Sequence, residues 1–312
     1  MPLRVIFFGT PEFAVPSLLA IARSSHELAG VITQPDRPRG RGHKVLPEAV
    51  KRTALELQLP IWQPDSLKDP ARLSGLADLR PDAAVVAAYG RLLPRALLDV
   101  PRLGCLNVHA SLLPRWRGAA PVHRAILAGD TTTGVTIMRV VLALDAGPTL
   151  AHIPTPIEAD ETSVELESRL AILGAEAIVT VLDALARGPV PEVPQDDAHA
   201  TYAPKIERAD GRLDWTVPAL DVHNRIRGLH PWPLASATLE GRRLLLRRSR
   251  VEHGQFSGAA PGTVLEAGGE RLVVAAQPGA VRLLELQPEG RRAMSARDFL
   301  NGTRVVAGER MT

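Results

Sequence analysis

The sequence predicts an α/β protein in which a mostly parallel sheet is followed by a smaller antiparallel barrel. In the first half of the chain, short apolar runs alternate with helical patterns, as in strands joined by crossover helices. In the last third, short β-like runs are separated by turn residues, which indicates a small barrel. A chain of 312 residues also exceeds the size of one comfortable core, so we expect two domains.

The elements of the first half follow from apolar runs and helix-capping signals. The strands are predicted at residues 3–8, 28–33, 61–62, 83–88, 104–108, 134–139 and 149–153. Helices are predicted at residues 11–24, 47–57, 94–98, 121–128 and 163–187. Thr10 is expected to cap the first of these helices, and Thr162 with Glu165 forms a capping box for the last.

The second half differs in character. Residues 188–205 contain four prolines and little apolar pattern, which is typical of a linker. A helix is predicted at 217–229, and strands at 236–239, 243–248, 262–266, 271–275 and 281–287. We therefore expect domains at residues 1–188 and 207–312, joined by a linker at 189–206.

Composition limits the compartment and the partners. The single cysteine, Cys105, cannot form a disulfide framework, so a reducing compartment, the cytoplasm, is expected. The first apolar run, residues 5–8, is too short for a signal peptide or a membrane span. The motifs HExxH and CxxC do not occur, so no metal is expected. Residues 205–312 carry 17 Lys and Arg against 12 Asp and Glu, which fits a polyanionic partner or simple composition bias.

The segment from Asn107 to Pro121 is the most informative about chemistry. Asn107 and His109 are two residues apart where a buried strand ends, so their side chains share one face. Ligands of open α/β sheets bind at such carboxyl ends. A carboxamide can hold an oxyanion and an imidazole can carry a proton, a pairing that suits acyl or formyl transfer. The alternative is that His109 is a packed core residue.

Asp145 is the natural third member of this site. It interrupts an apolar run before a glycine, and it could orient His109 or relay its proton, or be a solvated loop residue. The turn Ser111, Leu112, Leu113 and Pro114 holds backbone groups that can read a planar, amide-like ligand.

Two basic segments could contact a nucleic acid. The loop at 34–44 holds Arg37, Arg39, Arg41 and Lys44, and it could follow a phosphate backbone or remain a solvated loop. Beyond the turn, Trp116 lies between two arginines, where it could stack on a nucleotide or pack in the core.

Together these segments resemble the methionyl-tRNA formyltransferase family over essentially the whole chain. The matching motifs are Phe8-Gly9-Thr10-Pro11-Glu12-Phe13-Ala14, Thr33-Gln34-Pro35-Asp36-Arg37-Pro38, Tyr89-Gly90, the blocks at 103–108 and 111–121, Gly134-Val135-Thr136-Ile137-Met138, Thr201-Tyr202-Ala203-Pro204-Lys205, Asp214-Trp215, His230-Pro231-Trp232-Pro233, Pro261-Gly262-Thr263 and Leu286-Gln287-Pro288. One departure lies beside Asp145: the family usually has an acidic residue near Val141 and Asp-Thr-Gly-Asp where this chain has Asp145-Ala146-Gly147-Pro148.

The resemblance implies a Rossmann-like formyltransferase domain and a C-terminal, OB-like barrel that holds the tRNA body. It implies that Asn107, His109 and Asp145 are catalytic and that Ser111–Pro114 contact the folate; we add Tyr89 and Gly90 to the folate site. It also implies that the loop with Arg37, Arg39, Arg41 and Lys44 enters the tRNA acceptor stem. The expected co-substrate is 10-formyltetrahydrofolate, the expected partner is initiator methionyl-tRNA, and we expect a monomer.

Other functions remain open from the residues themselves. A formyltransferase that acts on a small amine, such as a nucleotide sugar or glycinamide ribonucleotide, would share the Asn-x-His and Ser-Leu-Leu-Pro pattern. A deformylating hydrolase would use water as the nucleophile. A non-enzymatic nucleic-acid-binding protein would retain only the basic segments. An NAD-linked oxidoreductase is disfavoured because the G-x-G-x-x-G spacing is absent.

Overall fold

The computed structural model describes residues 1–36, 38–39, 44–45, 47–67, 69–254, 256 and 258–312, without the side chains of residues 38, 39, 44, 45 and 70–73. It divides into two compact units. Unit 1 comprises Met1–Gly118, Thr133–Thr155 and Glu167–Tyr202, and unit 2 comprises Ala119–Thr132, Pro156–Leu166 and Ala203–Thr312. The division into domains at residues 188 and 207 stays a prediction. Over these described ranges, the helices lack the combined length and apolarity that a membrane crossing requires.

The secondary structure follows the predicted alternation. The strands are β1 (Arg4–Gly9), β2 (Glu27–Ile32), β3 (Pro38–Arg39), β4 (Lys44–Val45), β5 (Ile61–Trp62), β6 (Ala83–Ala87), β7 (Cys105–His109), β8 (Arg117–Gly118), β9 (Thr132–Arg139), β10 (Thr149–Pro156), β11 (Tyr202–Ala203), β12 (Ala235–Leu239), β13 (Arg242–Glu252), β14 (Val264–Gly268), β15 (Arg271–Ala275), β16 (Ala280–Pro288) and β17 (Met294–Ser295). The helices are α1 (Val15–Arg23), α2 (Ala49–Glu56), α3 (Pro70–Ala77), α4 (Arg95–Leu98), α5 (Pro121–Leu127), α6 (Ser163–Arg187), α7 (Ala219–Gly228) and α8 (Ala296–Gly302).

Unit 1 is built on one large sheet with the strand order β10-β9-β7-β6-β1-β2-β5. Neighbours from β5 to β7 pair in parallel, and β9 pairs antiparallel to β7. The chain runs outward from β1 to β2 and β5, then returns to the other side of β1 with β6. This reversal between β1 and β6 opens a crevice at the carboxyl ends of the strands, where ligands of such sheets bind. The predicted mostly parallel, Rossmann-like sheet is confirmed.

The central strands are covered on both faces, as parallel sheets require. Along β1, residues 5–9 are all buried, so successive side chains enter the core on opposite faces. On one face Ile6 and Phe8 belong to a cluster with Tyr89, whose ring meets that of Phe8 edge to face with centroids 5.4 Å apart. The sheet is therefore held from both sides, and its strand ends are fixed points for the site.

Helix boundaries were predictable where a capping signal is satisfied. The backbone N–H of Thr162 donates to the Glu165 carboxylate at 2.9 Å, and α6 begins and ends at the predicted residues. The prediction that Thr10 caps the first helix is wrong. A short 3-10 turn at Glu12–Ala14 precedes α1, no side chain caps it, and the Thr10 hydroxyl donates instead to the Tyr89 carbonyl at 3.4 Å.

Unit 2 contains an antiparallel sheet with the order β12-β13-β16-β15-β14. Residues at the end of the chain join its two edge strands, because Met311 bridges to Leu239 in β12 and Arg310 bridges to Thr263 beside β14. Met311 is 1% exposed and lies in the core that this sheet forms with α7 and α8. The closure gives a small barrel, as the sequence predicts, and leaves neither edge strand unpaired.

Candidate active site

Asn107 and His109 lie at the carboxyl end of β7, beside the crevice between β1 and β6. Asn107 pairs with Val86 in β6 and with Met138 in β9, while His109 pairs with Thr136 in β9. Strand geometry places the two side chains on the same face. Among the described residues, no group hydrogen-bonds to the Asn107 carboxamide, which is partly exposed. Its N–H groups are therefore left for a ligand.

His109 is held in a defined orientation by its backbone surroundings. The side chain is 6% exposed, and Nε2 lies 2.8 Å from the carbonyl oxygen of Trp116. A carbonyl can only accept, so Nε2 carries a hydrogen and, in the neutral ring, Nδ1 carries the lone pair. Nδ1 lies 3.8 Å from Oδ2 of Asp145, too far for a hydrogen bond but close enough for an ion pair with a protonated ring.

Asp145 reaches this position from the loop between β9 and β10. Its backbone is left-handed, with φ of 46°, and Oδ2 accepts a hydrogen bond from the Gly118 N–H at 2.8 Å. The Gln195 Nε2 donates to the backbone carbonyls of Asp145 at 2.8 Å and of Gly147 at 2.7 Å. The amide, the imidazole and the carboxylate predicted from the sequence thus meet in unit 1 from two distant segments.

The turn predicted to hold the folate is tied to the sheet by one hydroxyl. Thr136 Oγ1 donates to the Ser111 carbonyl at 2.7 Å and accepts from the Leu113 N–H at 3.1 Å. The Ser111 hydroxyl donates to the Arg115 carbonyl at 2.6 Å. Leu112 and Pro114 remain partly exposed within this turn, so its surface stays accessible to a ligand.

Tyr89 and Gly90, the other predicted folate residues, follow the end of β6. The Tyr89 ring is 1% exposed and packed in the core, and burial raises the pKa of its hydroxyl. Its carbonyl accepts a hydrogen bond from Gln34 Nε2 at 2.7 Å. Tyr89 thus packs in the core with its carbonyl engaged, and its contact with a folate stays a prediction.

The remaining sequence predictions concern the basic segments. Arg37 and Arg41 lie outside the described residues, as do the side chains of Arg39 and Lys44. Beyond the turn, the guanidinium of Arg115 lies 4.1 Å from the centre of the Trp116 ring, a cation–π arrangement.

Sequence reasoning missed Thr136 and Gln195, and it assigned Arg117 to a basic segment that could contact a nucleic acid. Arg117, only 4% exposed, donates from Nε and Nη2 to Gln195 Oε1 at 3.0 and 2.9 Å. Gln195 lies in the segment predicted to be a linker and contacts a loop 50 residues away. No local pattern marks such a partner, whereas Thr136 could have been found from the pairing of β9 with β7.

Comparison with known proteins matches both halves of the chain to one family of enzymes. The family model "Formyl transferase" matches residues 3–182, and the model "Formyl transferase, C-terminal domain" matches residues 205–304. An N-formyltransferase from Helicobacter canadensis, solved in complex with folinic acid and dTDP-3-aminofucose, has a similar fold. It aligns with a TM-score of 0.68 at 16% identity over 92% of this chain and 100% of its own.

Sequence relatives are much closer. A methionyl-tRNA formyltransferase from Methylococcus capsulatus is 50% identical over 99% of both chains. Another, from Pseudomonas paraeruginosa, is 47% identical over 97% of this chain and 96% of its own. Because the similarity extends over the full length and both family models match, the chain belongs to the methionyl-tRNA formyltransferase family.

Proposed function

We propose that this protein transfers the formyl group of 10-formyltetrahydrofolate to the α-amine of methionyl initiator tRNA, with Asn107, His109 and Asp145 as its catalytic residues. The observation that carries the assignment of residues is the convergence of a free carboxamide, an oriented imidazole and a carboxylate at one strand end. In the reaction a C–N bond forms between the α-amine and the formyl carbon, the bond from that carbon to N10 breaks, and one proton moves from the amine to N10.

Asn107 stabilises the tetrahedral intermediate. When the amine attacks, the formyl oxygen gains negative charge, and the unpaired N–H groups of the carboxamide can donate to it. The side chain is held on a strand that is paired on both sides, so little reorganisation is needed as the charge develops. Removal of one such donor typically lowers the rate by about 10²- to 10³-fold.

His109 moves the proton. An α-amine has a reference pKa of about 7.7–8.0, so little free energy is needed to form the neutral, nucleophilic amine near neutral pH. After attack the amine nitrogen is acidic, and the lone pair on Nδ1 is the site that can accept its proton. Asp145, 3.8 Å away, then faces a positively charged ring and stabilises it. The same proton is delivered to N10 as the tetrahydrofolate leaves.

The other contacts of the substrates follow from the same placement. Ser111, Leu112, Leu113 and Pro114 form the proposed folate site near the strand ends, and Tyr89 and Gly90 are proposed to border it. The tRNA phosphates are proposed to be contacted by Arg37, Arg39, Arg41 and Lys44. Such contacts would make the affinity for tRNA depend on the salt concentration. A role in translation initiation supports the expected cytoplasmic location, and we propose that the protein acts as a monomer.

The direct test is formation of N-formylmethionyl-tRNA from 10-formyltetrahydrofolate and charged initiator tRNA. Asn107→Ala, His109→Ala and Asp145→Asn should each lower kcat by about 10²-fold or more while the protein stays folded. His152→Ala, which alters an exposed histidine of β10, is the matched control and should retain the wild-type rate. A near-normal rate for His109→Ala or Asp145→Asn would remove that residue from the mechanism.

The tRNA loop is tested separately from the chemistry. Replacement of Arg39 and Arg41 by alanine should raise KM for tRNA and reduce its dependence on salt, because fewer phosphate contacts release fewer counterions. The KM for the folate should not change. An unchanged salt dependence would place the tRNA contacts elsewhere on the protein.

A further inference from the structure

We propose that Gln195 and Arg117 are positioning residues that hold the Asp145 loop in the geometry that the reaction needs. This inference rests on the proposed role of Asp145 and assigns a function to two residues through their bonds to each other and to the loop. All the groups involved belong to unit 1.

The apolar side chains that precede Asp145 bury little surface that could hold its loop. Val141, Leu142 and Leu144, which precede Asp145, are exposed by 39%, 61% and 51%. Asp145 itself adopts the left-handed backbone conformation, which is unfavourable for a residue with a Cβ and persists where surrounding groups impose it. The loop needs external contacts to keep the carboxylate near His109.

Gln195 supplies such contacts to the backbone of the loop, whereas Gly118 binds the side chain of Asp145. Both hydrogens of its carboxamide nitrogen are used, one on the Asp145 carbonyl at 2.8 Å and one on the Gly147 carbonyl at 2.7 Å. A single side chain therefore spans the three residues that include the left-handed position. The adjacent backbone of Val193 pairs with Thr149, with N···O distances of 2.8 and 2.9 Å, and fixes the position from which Gln195 reaches.

Arg117 determines the orientation of the Gln195 carboxamide. Its Nε and Nη2 donate to Oε1 at 3.0 and 2.9 Å, and a guanidinium cannot accept, so the nitrogen of the carboxamide must face the loop. The positive charge of this buried side chain also polarises the carboxamide and strengthens its donation to the two carbonyls. Asp197 Oδ1 lies 2.7 Å from Nη2 and balances the charge.

The residues on both sides of Arg117 contact the catalytic pair directly. The carbonyl of Trp116 accepts from His109 Nε2, and the N–H of Gly118 donates to Asp145 Oδ2. Through one short stretch of backbone, Arg117 thus links the Trp116 carbonyl, which orients the imidazole, to Gln195, which orients the Asp145 loop. A shift of the loop relative to His109 would lengthen the 3.8 Å separation on which the proton transfer depends.

The test is a double-mutant cycle on kcat. Gln195→Glu keeps the size and the acceptor for Arg117 but places an oxygen against two carbonyls, and Gln195→Ala removes the contact. Each should lower kcat about 10- to 100-fold, as expected for a misplacement of about 1 Å, while KM for folate and tRNA changes less than twofold. Asp196→Ala alters the neighbouring residue, which caps a 3-10 turn without touching the loop, and should leave kcat unchanged.

Non-additivity separates positioning from general destabilisation. In the Asp145→Asn background, the Gln195 substitutions should have little further effect on kcat, because they act through the same carboxylate. Multiplicative losses of kcat in the double variants would overturn this inference and leave the proposed function intact. Wild-type kcat in both Gln195 variants, with Asp145→Asn impaired, would do the same. A fully active Asp145→Asn would overturn both. Should Gln195→Glu fail to fold, Gln195→Ala provides the same comparison.

Discussion

Thr136→Val should both destabilise unit 1 and weaken binding at the proposed folate site. Thr136 is fully buried in β9, opposite His109, and its hydroxyl serves the Ser111 carbonyl and the Leu113 N–H. Valine has nearly the same shape but cannot hydrogen-bond. The substitution therefore leaves two buried backbone groups unpaired without creating a cavity.

The magnitude follows from those two groups. Each unsatisfied buried group costs about 1–3 kcal/mol, so Thr136→Val should lower the free energy of unfolding by about 2–6 kcal/mol. Thr136→Ser keeps the hydroxyl and loses one methyl group, which should cost about 1 kcal/mol. The serine variant is thus the matched control for the hydroxyl.

Urea unfolding followed by tryptophan fluorescence measures the difference, and steady-state formylation measures its functional consequence. The valine variant should unfold at clearly lower urea than the serine variant and should show a raised KM for 10-formyltetrahydrofolate, because the turn at 111–114 is no longer held to β9. Equal midpoints and equal KM values for the two variants would show that this hydroxyl does not hold the turn.

The remaining predictions concern the barrel, acid stability and the thiol. Deletion of residues 308–312 should abolish cooperative unfolding of unit 2, because it removes backbone hydrogen bonds to both edge strands; retained hydrogen-exchange protection in the barrel would contradict this. Burial alone would raise the pKa of Glu165, but hydrogen bonds from Arg248 and Thr162 outweigh it and lower the pKa from 4.5 to about 2. The stabilisation from Glu165 is therefore present above pH 4.5 and is lost as the pH falls toward about 2. Over that range the thermal midpoints of the wild type and Glu165→Gln should converge, and midpoints that stay equally far apart would contradict this. Burial also raises the pKa of Cys105 to about 12, so a thiol-specific disulfide reagent at pH 8 should react only after unfolding, and rapid reaction of the native protein would refute this.

The sequence predicted those parts of the fold that local patterns determine. Apolar runs located β1, β2, β6 and β7, and the Thr162–Glu165 capping box located the start of α6. Helices α3 and α8 were not predicted. They are 8 and 7 residues long, and packing rather than intrinsic propensity accounts for such short helices.

The site divides in the same way. Asn107 and His109 could be paired from the alternation of one strand, because their relation is local. The distance from His109 to Asp145 depends on how a loop closes, and the chain pattern offered only the residue type. Gln195 was invisible, since its hydrogen bonds join segments 48 to 50 residues apart through backbone carbonyls that every residue possesses.

The tripeptide Trp116-Arg117-Gly118 has a consequence for how this protein can vary. It makes two direct contacts with His109 and Asp145. One is through the carbonyl of Trp116, which any amino acid there would supply, and the other is through the amide hydrogen of Gly118, which any amino acid except proline has. Replacement of the Trp116 side chain should thus leave the orientation of the His109 ring unchanged. Insertion or deletion of one residue between 109 and 118 should not be, because it would rotate the carbonyl and the amide away from their partners together. The spacing of the chain, more than the identity of its side chains, encodes this part of the catalytic geometry.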